Sequence, residues 1–241
     1  MARDGSHLPS KLKELEAYGF PYLVVCGEFV DLPGVIYRKA VGKWDAINFG
    51  YNFIPSDANI VILNDVDTTI HGLKEAILAI ESYDLVYCVV RPTSGPQQKF
   101  YSFADPLRRR FHFFASGELM LVRKKVLDEL IPIPPCLAED SYLLFRAMQF
   151  KRKVCLCERA YVTTTRTSNN TEEAAYKERT TLGILQALDY SVPPPWVRLF
   201  YKTLPLYATI LALTGEEGRA WARGMIGGLR LHLRGSKMAQ F

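Results

Sequence analysis

Short apolar runs alternate with amphipathic stretches along most of the chain. Residues 21–26, 59–63, 84–90, 118–122 and 153–162 are compact and apolar and are bounded by polar or turn-forming residues, so each is predicted to be a buried strand. Residues 11–18, 40–51, 72–81, 124–130 and 138–150 carry helical spacing instead. Asp105 followed by Pro106 predicts a helix start, and Asn170 with Glu173 reads as a capping box opening a long helix that reaches about Tyr190. Residues 91–99 and the proline-rich residues 131–136 are predicted loops. Strands that are apolar throughout, alternating with helices, predict an α/β fold with a mostly parallel central sheet and flanking helices.

Composition narrows the class. At 241 residues, 49% hydrophobic and 12% aromatic, the chain can bury one large core and is too apolar for disorder. Its five cysteines lie mostly inside apolar runs with no paired CxxC elements, which points to a reduced cytoplasmic setting rather than a disulfide framework. Residues 1–19 contain no apolar core of signal-peptide length, so export is not expected.

The net charge of +5 is unevenly placed. From Gly218 onward the chain holds Arg219, Arg223, Arg230, Arg234 and Lys237 and no carboxylate. Interleaved Trp221, Met225, Ile226, Leu229 and Leu231 suit an anionic phospholipid surface better than nucleic acid, although a solvated terminal helix has the same pattern. Arg198, Lys202 and Pro205 interrupt the apolar stretch 199–213, so any membrane contact is peripheral, on the inner face. The organisation is therefore a domain over residues 1–192 and a basic amphipathic helical segment over 193–241.

Candidate chemistry gathers at predicted strand ends, where α/β sheets place ligands. Asp65 and Asp67 leave the strand 59–63 at i and i+2, and two carboxylates so spaced offer hard oxygen ligands for Mg²⁺ or Mn²⁺. An isolated Asp-x-Asp is equally a turn former or cap. Glu139 and Asp140 open the helix 138–150, where the helix dipole is expected to lower a carboxyl pKa and keep a proton acceptor ionised; plain dipole pairing is the alternative. Arg108, Arg109 and Arg110 suit phosphate or, equally, a solvated helix face. The histidines are scattered, and no Gly-x-Ser-x-Gly elbow is present.

Taken in order, Gly42 to Gly50, Asp65-Val66-Asp67, Ser116-Gly117-Glu118 and Ala138-Glu139-Asp140 resemble the family 2 glycosyltransferases of GT-A (Rossmann-like) fold, over about residues 20–190. The resemblance implies transfer, with inversion, from a nucleotide-diphosphate sugar, UDP-linked by expectation, to a hydroxyl of a glycan or lipid-linked acceptor. Lys43 and Asn48 would help hold the nucleotide, Asp65 would lie near the ribose and Asp67 would hold the divalent cation. Ser116 and Gly117 would line the sugar and acceptor pocket, and Asp140, with Glu139 beside it, would deprotonate the acceptor. Lys177-Glu178-Arg179 resembles the Gln-Arg-x-Arg-Trp region of membrane-associated polysaccharide synthases, which implies an arginine facing the pyrophosphate; a surface salt-bridge role for Lys177 and Arg179 stands beside it.

The family pattern also has a strand before the helix 11–18, absent here by expectation, and paired aspartates where this chain has Cys26-Gly27-Glu28. The loop 91–99 is expected to close over the donor. A nucleotidyltransferase and a catalytically silent scaffold on the same fold are the rival readings.

Overall fold

The computed structural model describes residue 2, residues 4–94 and residues 98–235. In chain order its elements are α1 (Leu8–Tyr18), β1 (Val24–Cys26), β2 (Val35–Tyr37), α2 (Lys43–Tyr51), β3 (Ile60–Asn64), β4 (Thr68–His71), α3 (Leu73–Ile80), β5 (Leu85–Pro92), α4 (Gln98–Phe111) and β6 (Leu119–Arg123). There follow α5 (Lys124–Leu130), α6 (Glu139–Gln149), β7 (Val154–Thr164), α7 (Asn170–Asp189), α8 (Pro195–Lys202), α9 (Leu204–Ala212) and α10 (Glu216–Leu233).

A five-stranded sheet, order β3-β6-β5-β7-β4, divides the molecule. Successive side chains of a strand point to opposite faces. Leu85, Tyr87 and Val89 of β5 accordingly join a core with Val126, Leu143 and Phe145 on one face, whereas Val86, Cys88 and Val90 meet Leu73, Ala76 and Ile80 of α3 on the other. The α/β class and flanking helices are as predicted, but the strand directions are not. Within this sheet β5–β7 is parallel, while β3–β6, β5–β6 and β4–β7 are antiparallel. Strands covered on both faces are apolar throughout whichever way their neighbours run, so the run of apolar residues carries no direction; β6 enters between β3 and β5 opposed to both.

A second, two-stranded parallel sheet, β1–β2, extends through an isolated bridge from Ala2 to Cys26. Ala2 N donates to Val25 O at 2.9 Å, and Gly27 N donates to Ala2 O at 3.0 Å. A minimal extended pairing thus stands ahead of α1, where the sequence pattern lacks a strand. Ala2, Leu8, Leu12, Val24 and Cys26 form its own small core.

Two helix starts differ from expectation. α4 begins at Gln98, with Pro106 inside it, and Asp105 accepts from Arg108 Nη1 at 2.8 Å instead of capping. The i,i+3 spacing serves an ion pair within a helix as well as a first turn. The cap of α7 falls one residue early: Asn169 Oδ1 accepts from Thr171 N and Glu172 N, each at 3.0 Å, and Glu172 accepts from Ser168 N. The predicted loop 91–99 lies partly outside the described residues.

The apolar face of α10 is not free for a membrane. Met225, Ile226 and Leu229 pack against the main core, and Lys177 of α7 places its ammonium 3.7 Å from the Trp221 ring centroid. Glycines let the backbones of α7 and α10 approach: a Cβ on Gly224 would lie 2.4 Å from Ala174 O, and one on Gly228 2.6 Å from Glu178 O. Among the described residues no helix is long and apolar enough to cross a membrane.

Candidate active site

The first residue of α2, the turn after β3 and the first turn of α6 meet beside the start of β6. Lys43 Nζ lies 2.8 Å from Asp65 Oδ1 and 2.9 Å from Glu139 Oε1, and donates to Gly117 O at 3.1 Å. Gly117 has room for no side chain, since a Cβ there would stand 2.9 Å from both Asp140 Cβ and Lys43 Nζ. Four of the positions singled out in the sequence, Asp65, Gly117, Glu139 and Asp140, therefore gather around the ammonium of a fifth, Lys43.

The turn carrying Asp65 and Asp67 is tied at both ends. Asn64 Nδ2 donates to Thr68 Oγ1 at 3.0 Å, Thr68 Oγ1 donates to Asp65 O at 2.7 Å, and Asp65 N donates to Glu118 O at 3.3 Å. The turn at residues 65–67 breaks the strand periodicity, setting Asp65 toward Lys43 and leaving Asp67 exposed. Asp67 lines a cleft of about 410 Å³ together with Lys43, Asp65, Glu139 and Arg179, the size of a small-molecule site. Ala2, Asp4, Ser6 and His7 line it as well, with Val25 and Cys26 of β1 and with Arg38 and Lys39.

Charge in this cluster is unequally shared. Burial would lower the Lys43 pKa, but Asp65, Glu139 and Asp140 outweigh it and hold the ammonium protonated well above the ordinary lysine range. Asp140 moves the other way. Burial first, then the neighbouring charges of Glu139 and Glu118, push its carboxyl up to about 7 against the opposing pull of Lys43 and the Ser141 N–H. This corrects the expectation of a lowered pKa: the helix N-terminus is there, with Ser141 N donating to Asp140 Oδ1 at 2.6 Å, but desolvation and two carboxylates exceed it. A carboxyl near 7 is matched to general-base work at neutral pH.

Glu118, quoted in a motif but given no role by the sequence, anchors the floor. Its carboxylate pairs with Arg166, whose Nη1 donates to Tyr176 Oη at 2.9 Å. Burial would raise the Glu118 pKa, yet Arg166 and Lys43 hold it below the usual range. Its place two residues after Ser116 is the only sequence signal for it; Arg166 and Tyr176 come from distant segments and have none.

Other predicted site residues lie elsewhere. Asn48 Nδ2 donates to Ile133 O and Asn48 Oδ1 accepts from Ile133 N, both at 2.8 Å, so its amide clamps α2 to the proline-rich loop rather than facing the cleft. Ser116 is buried: its Oγ donates to Cys88 O and accepts from Arg108 Nη2 at 2.8 Å. The Arg108–Arg110 triplet is no phosphate grip, because Arg108 is buried against Asp105 and Ser116 while Arg109 pairs with Glu158 at 2.8 Å. On α7, Arg179 lines the cleft, whereas Lys177 is packed on Trp221 with its pKa pushed down to about 8, chiefly by burial.

Among the described residues no three His, Cys, Asp or Glu side chains are placed to hold a metal alone. Asp65 is committed to Lys43, and Asp67 is one exposed carboxylate at the cleft. A hard cation such as Mg²⁺ takes one or two carboxylates and completes its shell with phosphate oxygens. This donor set therefore fits a cation shared with a diphosphate, and does not fit a protein-caged metal.

No protein-family model matches the chain, and no curated protein matches it in sequence. Its structure is similar to the mannosyltransferase PcManGT from Pyrobaculum calidifontis in complex with GDP-Man and Mn²⁺, with TM-score 0.72 and 15% identity, over 98% of this chain and 86% of that one. It is also similar to GalNAc-T7 with UDP, GalNAc and Mn²⁺ (TM-score 0.50, 12% identity, 96% of this chain and 49% of that one) and to a mycobacterial protein (TM-score 0.54, 12% identity, 80% and 74%). At such identities the likeness shows the fold: a mixed α/β domain of GT-A-like architecture, with a central sheet and flanking helices, shared with glycosyltransferases.

Proposed function

We propose that this chain is an inverting glycosyltransferase that moves a sugar from a nucleotide-diphosphate donor to an acceptor hydroxyl. The observation that carries the reading is the convergence of Asp65, Glu139 and Asp140 on Lys43 at the edge of a cleft lined by Asp67 and Arg179. The fold shared with enzymes solved with GDP-Man or UDP supports it.

In this reading Asp67 would hold a divalent cation, which when bound supplies Lewis-acid stabilisation of the leaving diphosphate. Arg179 and Lys39 set positive charge along the same cleft for phosphate oxygens, while Arg38 is paired with Asp45. Lys43 stays charged, balances Asp65 and Glu139, and fixes the position of the Asp140 carboxyl through the close contact at Gly117. Asp140 takes the proton of the acceptor hydroxyl; the acceptor oxygen bonds the anomeric carbon as the carbon–phosphate-oxygen bond breaks, and a single displacement inverts the centre.

Both UDP- and GDP-sugars belong in the test. Incubation with a panel of labelled sugar nucleotides and Mn²⁺, with chromatography of the products, is expected to give nucleoside diphosphate and a glycosylated or hydrolysed sugar. Release of sugar 1-phosphate, with the nucleotidyl group passed to an acceptor, instead assigns a nucleotidyltransferase. The absence of any metal-dependent nucleotide binding in calorimetry leaves the scaffold reading.

A further inference from the structure

α8 and α9 carry a run of exposed apolar side chains. On α8, Val197 and Tyr201 are buried while Trp196 and Leu199 are 50% and 61% exposed. On α9, Leu204 and Ala208 are buried while Leu206, Ile210 and Leu213 are 61%, 53% and 83% exposed. The spacing 206, 210, 213 is one stripe of a helix, opposite the buried one. Phe200 and Tyr207 stack across the junction at 4.8 Å between centroids, so the two stripes border each other. The Trp196 indole is held at its polar end, where Nε1 donates to Phe111 O at 3.3 Å.

The charge around this patch is predominantly positive, with Glu216 and Glu217 at the start of α10 the exceptions. From Tyr190 to Gly215 there is no Asp or Glu, and Arg198 and Lys202 are exposed beside the apolar residues. α10 packs on α9 at Gly218, where a Cβ would meet Leu211 O, and exposed Arg219 and Arg223 follow in its first turns.

We propose that the outer face of α8 and α9 is an in-plane docking surface for an anionic phospholipid bilayer. Aliphatic side chains with Trp and Tyr suit the acyl–headgroup boundary, and the surrounding cations suit anionic headgroups. A second copy is the poorer occupant, because a two-fold contact through this face would set Arg198 and Lys202 against their own counterparts.

The test is independent of sugar transfer. Full-length protein is floated with vesicles of phosphatidylcholine and phosphatidylserine, and with phosphatidylcholine alone. Binding is expected to the mixed vesicles, weakened by salt and reduced about tenfold or more by Leu206→Asn, Ile210→Asn and Leu213→Asn together. The thermal unfolding midpoint is expected to be unchanged, because all three side chains are exposed. Arg198→Gln with Lys202→Gln is expected to abolish the preference for phosphatidylserine. No flotation, or equal flotation of the triple variant, overturns the proposal; so does a dimer that the triple variant disperses, which would make the face a contact between copies.

Discussion

Gly117 and Asp140 touch across the starts of β6 and α6, with 2.9 Å between Asp140 Cβ and the place a Gly117 methyl would take. The same methyl would stand 2.9 Å from Lys43 Nζ. Gly117→Ala must therefore displace the proposed base or its counter-ion. Transfer is expected to fall roughly 10- to 100-fold through misplacement of the carboxyl. Stability should fall by about 1–3 kcal/mol through overpacking. A variant with wild-type kcat would show that Asp140 tolerates movement and is not the base.

The raised pKa of Asp140 predicts two opposite pH responses. Transfer needs the carboxylate, so its rate should climb with pH to a plateau above about 7. Stability should run the other way. A carboxyl whose folded pKa lies above its ordinary value of 3.8 stabilises the fold below that value, and the contribution is lost as pH rises through about 7. Asp140→Asn should remove both slopes and lower transfer by roughly 10²- to 10⁴-fold. Unfolding midpoints and rates taken at a series of pH values, with both proteins, are the measurement; a titration unchanged in Asp140→Asn assigns it to another group.

Lys43 is the shared cation of Asp65 and Glu139, and it lowers the Asp140 pKa. Lys43→Met should cost about 3 kcal/mol by leaving two carboxylates unbalanced. It should also move the rising limb of the pH–rate profile to higher pH. Because the Lys43 pKa is itself raised, its own stabilisation is present throughout the neutral range and is lost only in alkali beyond the ordinary lysine value. Denaturant unfolding and the profile together decide it: a profile that shifts to lower pH contradicts the arrangement.

Asp67 is exposed and lines the cleft, so Asp67→Asn should change stability by less than about 0.5 kcal/mol. The Mn²⁺-dependent part of nucleoside-diphosphate affinity should disappear in the variant. Chelation of the metal should bring the wild type down to the same affinity. Titration calorimetry with and without chelator checks this, and metal dependence surviving in Asp67→Asn would place the cation elsewhere.

The parts of this site that sequence made legible are those a short segment specifies by itself. Asp65 and Asp67 follow an apolar strand, and Glu139 and Asp140 open a helix after a proline-rich loop, so their place at the ends of elements could be read from order alone. The direction of the Asp140 shift could not, because it depends on Glu118 and Lys43, which arrive from two other elements. The apolar face of α10 misled for the same reason: its composition fits a membrane, but Gly224 and Gly228 bring it against α7. Four-residue glycine spacing was a visible sign of close helix contact. Strand direction left no sign at all, since β5 and β6 are apolar on both faces.

Asn48 is the clearest case in which a motif position and a structural role separate. The family resemblance puts it at the nucleotide; the structure puts both ends of its amide on the backbone of Ile133 at 2.8 Å, joining α2 to the loop that delivers α6. Asn48→Ala would strand a partly buried N–H and a C=O of that loop, at a cost of about 1–3 kcal/mol. Nucleotide affinity measured well below the unfolding temperature should be unchanged, while transfer declines only as far as Glu139 and Asp140 lose their position. A large drop in nucleotide affinity at wild-type stability would instead return Asn48 to the donor site, and with it the assumption that the Ile133 clamp opens when donor binds.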